Sequence, residues 1–110
     1  MTDRELLELA AKAAGVRITS HIGLTHDYFA DDSTGKEWNP LNDDGDALRL
    51  AVKLGVIVGT YAHYSTVDFL TPNDRVETVN VWHHEAGGDP YAATRRAITL
   101  AAAAIGKTLT

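Results

Sequence analysis

The stretch KEWNPLNDDGDALRLAVKLG, residues 36–55, carries the clearest fold information in the chain. Its proline, Pro40, disfavours helical angles at the preceding residue, so a new element begins after this point. Asn42 or Asp43 can cap a helix, and the acids that follow lie against the positive end of the helix dipole. Residues 47–54 contain only two polar side chains, four positions apart on one stripe. This narrow polar stripe predicts a mostly buried helix that ends at the last glycine of the stretch.

One glycine inside this stretch has no evident local role. Gly45 falls in the first turn of the predicted helix, where glycine costs up to ~1 kcal/mol relative to alanine. We therefore expect another element to pack closely against Gly45, with Trp38 as the candidate neighbour.

Two further helices are predicted, one at each end of the chain. Thr2 begins a capping-box pattern with the glutamate three residues later, and apolar residues then recur at helical spacing until Gly15. Near the other end, Asp89 supplies an N-cap and Pro90 a preset first helical residue. Gly106 is predicted to close this third helix.

The remaining segments have the patterns of extended chain. Residues 16–28 alternate between apolar and polar side chains, which indicates a half-buried strand region. Residues 55–70 and 74–84 are rich in valine, threonine and aromatics, and they flank TPND, whose proline suits a type I turn. We predict a β-hairpin that closes with Thr71 opposite Asp74.

The predicted order is α-β-β-α-β-β-α. It has no βαβ alternation, so it favours an α+β class with a mainly antiparallel sheet and three helices. At 110 residues the chain has the size of a single domain, residues 1–110.

Composition excludes several kinds of function. A net charge of -5 argues against nucleic-acid binding by bulk charge. The absence of cysteine excludes disulfides, thiolate metal sites and cysteine nucleophiles. The first fifteen residues are charged and helix-periodic, unlike a signal peptide, and no apolar run approaches the ~20 residues of a membrane span. We expect a soluble intracellular protein without membrane contact.

Three segments together resemble a known family. WNPLNDDGDALRLAVKLG in the middle, MTDRELLELAAKAAG at the start and DPYAATRRAITLAAAAIGK at the end resemble the phage ABA sandwich domain family. These segments are the three predicted helices and cover roughly half of the chain. The resemblance implies an α-β-α sandwich, a phage or prophage origin and action in the cytoplasm of the infected cell. It implies no established activity and no catalytic residue.

Histidines near the end of the hairpin raise the question of a metal site. The predicted register places His63 across from Trp82, and diagonal to His84 on one sheet face. With His83 and Glu85, these histidines form the ligand set of a zinc or related site, which needs at least three converging side chains. A slip of one residue would turn each side chain to the other face. No HExxH signature is present, and polar histidines on a strand face are the favoured interpretation.

A second candidate site lies at the start of the third helix. Arg95 and Arg96 follow GGDPY, and helix amides, glycines and arginine forks together suit an anion. Tyr91, Trp82 and His84 complete this candidate ligand-binding set. The alternative is a solvated helix face, on which the arginines could pair with Glu85 or Asp89.

The aromatic residues are open to two interpretations. They could form a stacking pocket for a base, although such side chains more often lie in cores or interfaces. The set comprises Trp38, Tyr61, Tyr64, Trp82 and Tyr91.

These patterns lead to three functional hypotheses. The first is a non-enzymatic binding protein of a phage, without a cofactor, that sequesters an anionic nucleotide-type ligand or engages a host defence protein. The second is an accessory protein in phage assembly that acts through self-association, with a homodimer expected. The third is a metal-dependent hydrolase that uses the histidine set.

Overall fold

Local capping contacts place the ends of the first two helices. The computed structural model describes residues 1–109. Helix α1, Asp3–Ala14, begins at Thr2, whose hydroxyl accepts a hydrogen bond from the Glu5 amide at 3.1 Å. Helix α2, Asp44–Leu54, is capped by Asp43, which accepts from the Asp46 amide at 2.8 Å. Both helices end at a glycine in the left-handed conformation, as predicted.

Helix α3 is longer than predicted. It spans Pro90–Lys107 and is capped by Asp89, which accepts hydrogen bonds from the first amides of the helix. The predicted end at Gly106 is wrong, because the helix continues through this residue. A Cβ at Gly106 would lie 2.9 Å from the carbonyl carbon of Leu9 and 3.3 Å from its Cα. The glycine therefore permits the close approach of α1 to α3.

The prediction that another element packs closely against Gly45 is also wrong. A Cβ at Gly45 would meet the Arg49 guanidinium at 3.0 and 3.2 Å and the Asp43 carboxylate at 3.2 Å. These atoms are the ends of side chains of the same helix and its cap. Trp38 is instead buried in the core, with 7% of its surface exposed.

Within residues 1–109, five strands form two antiparallel sheets. Strands β1, Ile18–His21, and β2, Tyr28–Asp31, make a two-stranded sheet. Strands β3, Ile57–Thr60, β4, Tyr64–Leu70, and β5, Val76–Trp82, make a three-stranded sheet in that order.

The predicted α+β class, with antiparallel strands and three helices, is confirmed. The observed order, α-β-β-α-β-β-β-α, contains one strand more than predicted. The additional strand arises because residues 55–70, predicted as one arm of a hairpin, fold back on themselves. The Tyr61 amide donates to the Tyr64 carbonyl at 2.9 Å and closes the turn between β3 and β4.

The predicted register of the second hairpin, β4–β5, is wrong by one residue. The turn at Thr71–Asp74 forms, with the Asp74 amide bonded to the Thr71 carbonyl at 3.0 Å. Asp74 then adopts a positive φ of 60°, and the ladder starts with Thr71 bonded to Arg75. A turn followed by a left-handed residue adds one position to the loop. Trp82 consequently lies opposite Tyr64 and not opposite His63.

The core lies between the helices and one face of the three-stranded sheet. Strand β4 directs Ser65, Val67 and Phe69 towards α3, and all three are buried. Most of the buried residues of α3 are small, which lets α1, α2 and the sheet approach it closely. Within residues 1–109, no helix is both long and apolar enough to cross a bilayer.

Candidate functional site

The outer face of the three-stranded sheet, opposite α3, carries a continuous row of aromatic rings. The row, which we call the aromatic strip, consists of Tyr61, Tyr64, Trp82 and His84. The rings of Tyr61 and Tyr64 are stacked at 4.9 Å between centroids, with 18° between their planes. Tyr64 and Trp82 lie 5.1 Å apart, and Trp82 and His84 lie 6.3 Å apart. These spacings fall in the range of favourable aromatic pairs.

Backbone features of the sheet position each ring. The one-residue shift in the hairpin pairs Tyr64 directly with Trp82. Tyr61 projects from the β3–β4 turn over Gly59, where a Cβ would lie 3.0 Å from the Tyr61 ring. His84 lies in a short 3₁₀ helix, His83–Ala86, which directly follows β5. A side chain larger than hydrogen at position 59 would therefore displace one end of the strip.

The strip remains accessible although its rings contact one another. Tyr61 is 54% exposed and Trp82 is 47% exposed. Within residues 1–109, no other element covers this face. Exposed tryptophan and tyrosine on such a surface are typical of interaction sites.

Polar side chains continue the same face beyond the rings. The pairs Thr66–Asn80 and Asp68–Thr78 lie opposite one another in the β4–β5 ladder. Thr78 donates a hydrogen bond to Asp68 at 2.7 Å. Together with the two tyrosines and the tryptophan, these residues line a shallow cavity of about 490 Å³. Its lining contains one carboxylate and no cation, so the cavity suits a neutral or cationic group.

The two arginines of the predicted anion site are engaged in contacts within the chain. Arg95 is mostly buried; its Nε donates to the Leu41 carbonyl at 2.9 Å and its Nη1 to Asp44 at 2.6 Å. Arg96 pairs with Asp3 at 3.2 Å. The arginines thus join α3 to the starts of α2 and α1. These partners differ from Glu85 and Asp89, the acids of the alternative interpretation, and the mostly buried Arg95 is not part of a solvated helix face.

The predicted aromatic partners are divided among three places. Trp82 and His84 belong to the aromatic strip. Tyr91 is 68% exposed on the first turn of α3 and stacks on no ring within residues 1–109. Trp38, predicted as a stacking candidate, is a core residue.

The side chains of the predicted metal set do not converge within residues 1–109. His84 stacks on Trp82, whereas the Nε2 atom of His83 lies 3.4 Å from the hydroxyl of the buried Ser65. Glu85 accepts a hydrogen bond from the Trp82 amide at 3.1 Å, and His63 lies in the β3–β4 turn. Across the described part of the chain, no three histidine, aspartate or glutamate side chains are arranged to hold a metal ion.

Sequence reasoning missed the polar chain that joins the sheet to α3. Thr94 donates to the Pro90 carbonyl at 2.8 Å, so the Ser65 hydroxyl, 2.7 Å away, donates to Thr94. The Nε2 atom of His83 lies 3.4 Å from the same hydroxyl. Because Ser65 is fully buried, its hydroxyl is inaccessible to a substrate.

Comparison of the chain with protein-family models, with curated proteins and with solved structures finds no match. The resemblance to the phage ABA sandwich domain family stays a prediction.

A period-2 signal in the sequence could have located the outer face of the strip. Val67 and Phe69 alternate with the polar Thr66 and Asp68 in β4, so a period of two residues places Tyr64, Thr66 and Asp68 on the opposite face. The position of Tyr61 had no comparable signal. It depends on the turn between β3 and β4, and the valine- and tyrosine-rich pattern of residues 55–70 indicates continuous extended chain instead.

Proposed function

We propose that the chain is a small non-enzymatic binding protein that engages a partner protein through the aromatic strip. The supporting observation is the four-ring row, in which Tyr61, Trp82 and His84 are exposed, on a sheet face that no other element within residues 1–109 covers. Tryptophan and tyrosine supply much of the binding energy at protein interfaces, because each buries a large area at a small cost in conformational entropy.

The charge of this face restricts the partner. Asp68 lies beside the rings, and the cavity lining has no cation. A complementary partner surface is therefore neutral or basic, since like charges placed together would cost binding free energy. The proposal moves binding away from Arg95 and Arg96, whose guanidinium groups are already paired.

The biological setting rests on the resemblance of the three helical segments. This resemblance adds to the proposal that the protein is encoded by a phage or prophage and that its partner is a host protein in the host cytoplasm. The aromatic strip lies outside those segments, so the strip and the resemblance are independent supports for different parts of the proposal.

Substitution of the strip tests the proposal directly. We expect Trp82→Ala to weaken partner binding at least tenfold, because truncating a central interface tryptophan costs about 2 kcal/mol or more. Candidate partners are first identified from host lysate with the wild-type chain. Each purified candidate is then titrated calorimetrically against the wild type, Trp82→Ala and Tyr61→Ala.

Tyr91→Ala is the matched control, since Tyr91 is an exposed aromatic residue outside the strip. It should bind like the wild type. Equal affinity of Trp82→Ala and the wild type for every purified candidate would refute the proposal, as would a loss of affinity in Tyr91→Ala alone.

A further inference from the structure

A second concave surface lies away from the aromatic strip. We call it the α2 cleft: one wall is formed by α2, and the other by the segment after α1 and the turn after β2. Its volume is about 1190 Å³, large enough for a small organic molecule. Trp38 and Leu50 contribute to its lining, and both are largely buried.

Cationic side chains stand on both walls of the α2 cleft. Arg17 and Lys36 belong to one wall, and Arg49 and Lys53 are four residues apart on α2. Arg49 pairs with Asp46 at 2.8 Å. The side chains of the other three make no hydrogen bond or ion pair within residues 1–109.

The acids that line the cleft are differently engaged. Asp31 accepts hydrogen bonds from Ser33, and Asp32 accepts one from Thr19 at 2.7 Å. Asp43 caps α2, and Asp46 accepts the Asn39 amide at 2.9 Å in addition to Arg49. The remaining acid is Glu37, whose side chain has no such contact in the described part of the chain.

The side chains that lack a partner, and not the summed charge of the lining, therefore decide which ligand fits the α2 cleft. The lining has four cationic and five acidic side chains, so its summed charge does not by itself attract an anion. Within residues 1–109, three long cations nevertheless have free donors, whereas four of the five acids already accept hydrogen bonds from the protein. Charge-assisted hydrogen bonds from lysine and arginine are the contacts that phosphate groups form most readily.

From this arrangement we infer that the α2 cleft binds a small molecule that carries phosphate groups, held by Arg17, Lys36 and Lys53. This site is separate from the aromatic strip and does not depend on the partner protein. Binding at this site should weaken as salt is added, because the charges are exposed. Dissolved ions screen interactions between exposed charges, with a screening length of about 10 Å at 0.1 M ionic strength.

Trp38 offers an optical readout for the test. The chain has two tryptophans, so Trp82→Phe leaves Trp38, which lines the cleft, as the sole source of tryptophan fluorescence. Inorganic pyrophosphate and ADP are titrated separately into this variant, with sodium chloride at matched ionic strength as the control. We expect a saturable change with pyrophosphate, and tighter binding of ADP if the ligand is a nucleotide.

Charge variants in the same background locate the site. Lys36→Ala and Lys53→Ala should each weaken pyrophosphate binding about tenfold, the effect of one lost charge-assisted contact. Glu37→Gln should strengthen it, because an unpaired like charge is removed. Lys12→Ala, at an exposed position of α1 outside the cleft, should leave it unchanged.

Two results would overturn the inference: a response to pyrophosphate no larger than that to sodium chloride, or saturable binding that Lys36→Ala and Lys53→Ala leave intact. Both lysines are exposed and unpaired within residues 1–109, so the variants are expected to fold, which circular dichroism verifies. Neither result bears on the binding of a partner protein at the aromatic strip.

Discussion

Gly45 and Gly106 occupy helices with very different surroundings. Gly45 lies in the first turn of α2 beneath two flexible, exposed side-chain ends. Gly106 faces the backbone of Leu9, which belongs to α1 and cannot move independently of that helix. The same substitution is therefore expected to change stability in opposite directions at the two positions.

Replacement of each glycine by alanine tests this contrast. Gly45→Ala should raise the free energy of unfolding by up to about 1 kcal/mol, because alanine is the better helix former and its methyl group displaces only mobile atoms. Gly106→Ala should lower it by about 1–3 kcal/mol or more, because the helices must separate. Chemical denaturation of the two variants and the wild type provides the measurement. Destabilisation by Gly45→Ala would show that the Asp43–Arg49 contact matters more than helix propensity.

The contribution of a contact between two elements to stability depends strongly on how well the contact excludes water. Arg95 is mostly buried and contacts both the Leu41 carbonyl and Asp44, so it fastens the segment before α2 to α3. Arg96 pairs with Asp3 nearer to solvent, and a surface pair of this kind contributes little.

The two neighbouring arginines consequently form a matched pair for mutation. Arg95→Ala should cost about 1–3 kcal/mol of stability, because the Leu41 carbonyl loses its charged donor. Arg95→Lys should recover only part of this loss, since one ammonium group does not reproduce the fork of a guanidinium. Arg96→Ala should change stability by less than about 1 kcal/mol. Equal shifts of the denaturation midpoint in Arg95→Ala and Arg96→Ala would contradict this account.

At the scale of the whole molecule, the edge of the larger sheet bears on self-association. Within residues 1–109, β3 pairs only with β4, and its sequence, IVGT, contains neither charge nor proline. Ile57 is 69% exposed on this strand. An uncharged edge strand of this kind can pair with a second copy, although its four residues limit the strength of such pairing.

We expect a concentration-dependent dimer through β3, the second of the functional hypotheses. Ile57→Lys should shift the protein towards the monomer, because a lysine on an edge strand opposes pairing. Val52→Lys is the control, since Val52 is 73% exposed on α2 and lies outside the strand. Light scattering across a range of concentrations measures the result; a monomer throughout would exclude this contact.

The sequence alone determined the starts of the helices and their glycine ends at residues 15 and 55. Each of these signals acts through hydrogen bonds or backbone angles within one turn of the chain, so no distant residue is needed to interpret it. The α+β class followed from the order of such segments. The prediction failed at Gly106 because the role of this glycine is not local. It allows a close contact with the backbone of Leu9 and does not end the helix.

Only the tertiary structure decided which functional side chains meet. One left-handed residue, Asp74, shifted the ladder by one position and brought Tyr64 beside Trp82. The partners of Arg95 lie more than 50 residues away along the chain, beyond any local pattern. The sequence pattern groups Trp82 with the arginines of α3, whereas the folded chain places it in the aromatic strip. Side-chain type can be read from the sequence, but a binding face depends on register and long-range contacts, because a period of two residues makes each strand sensitive to a single step.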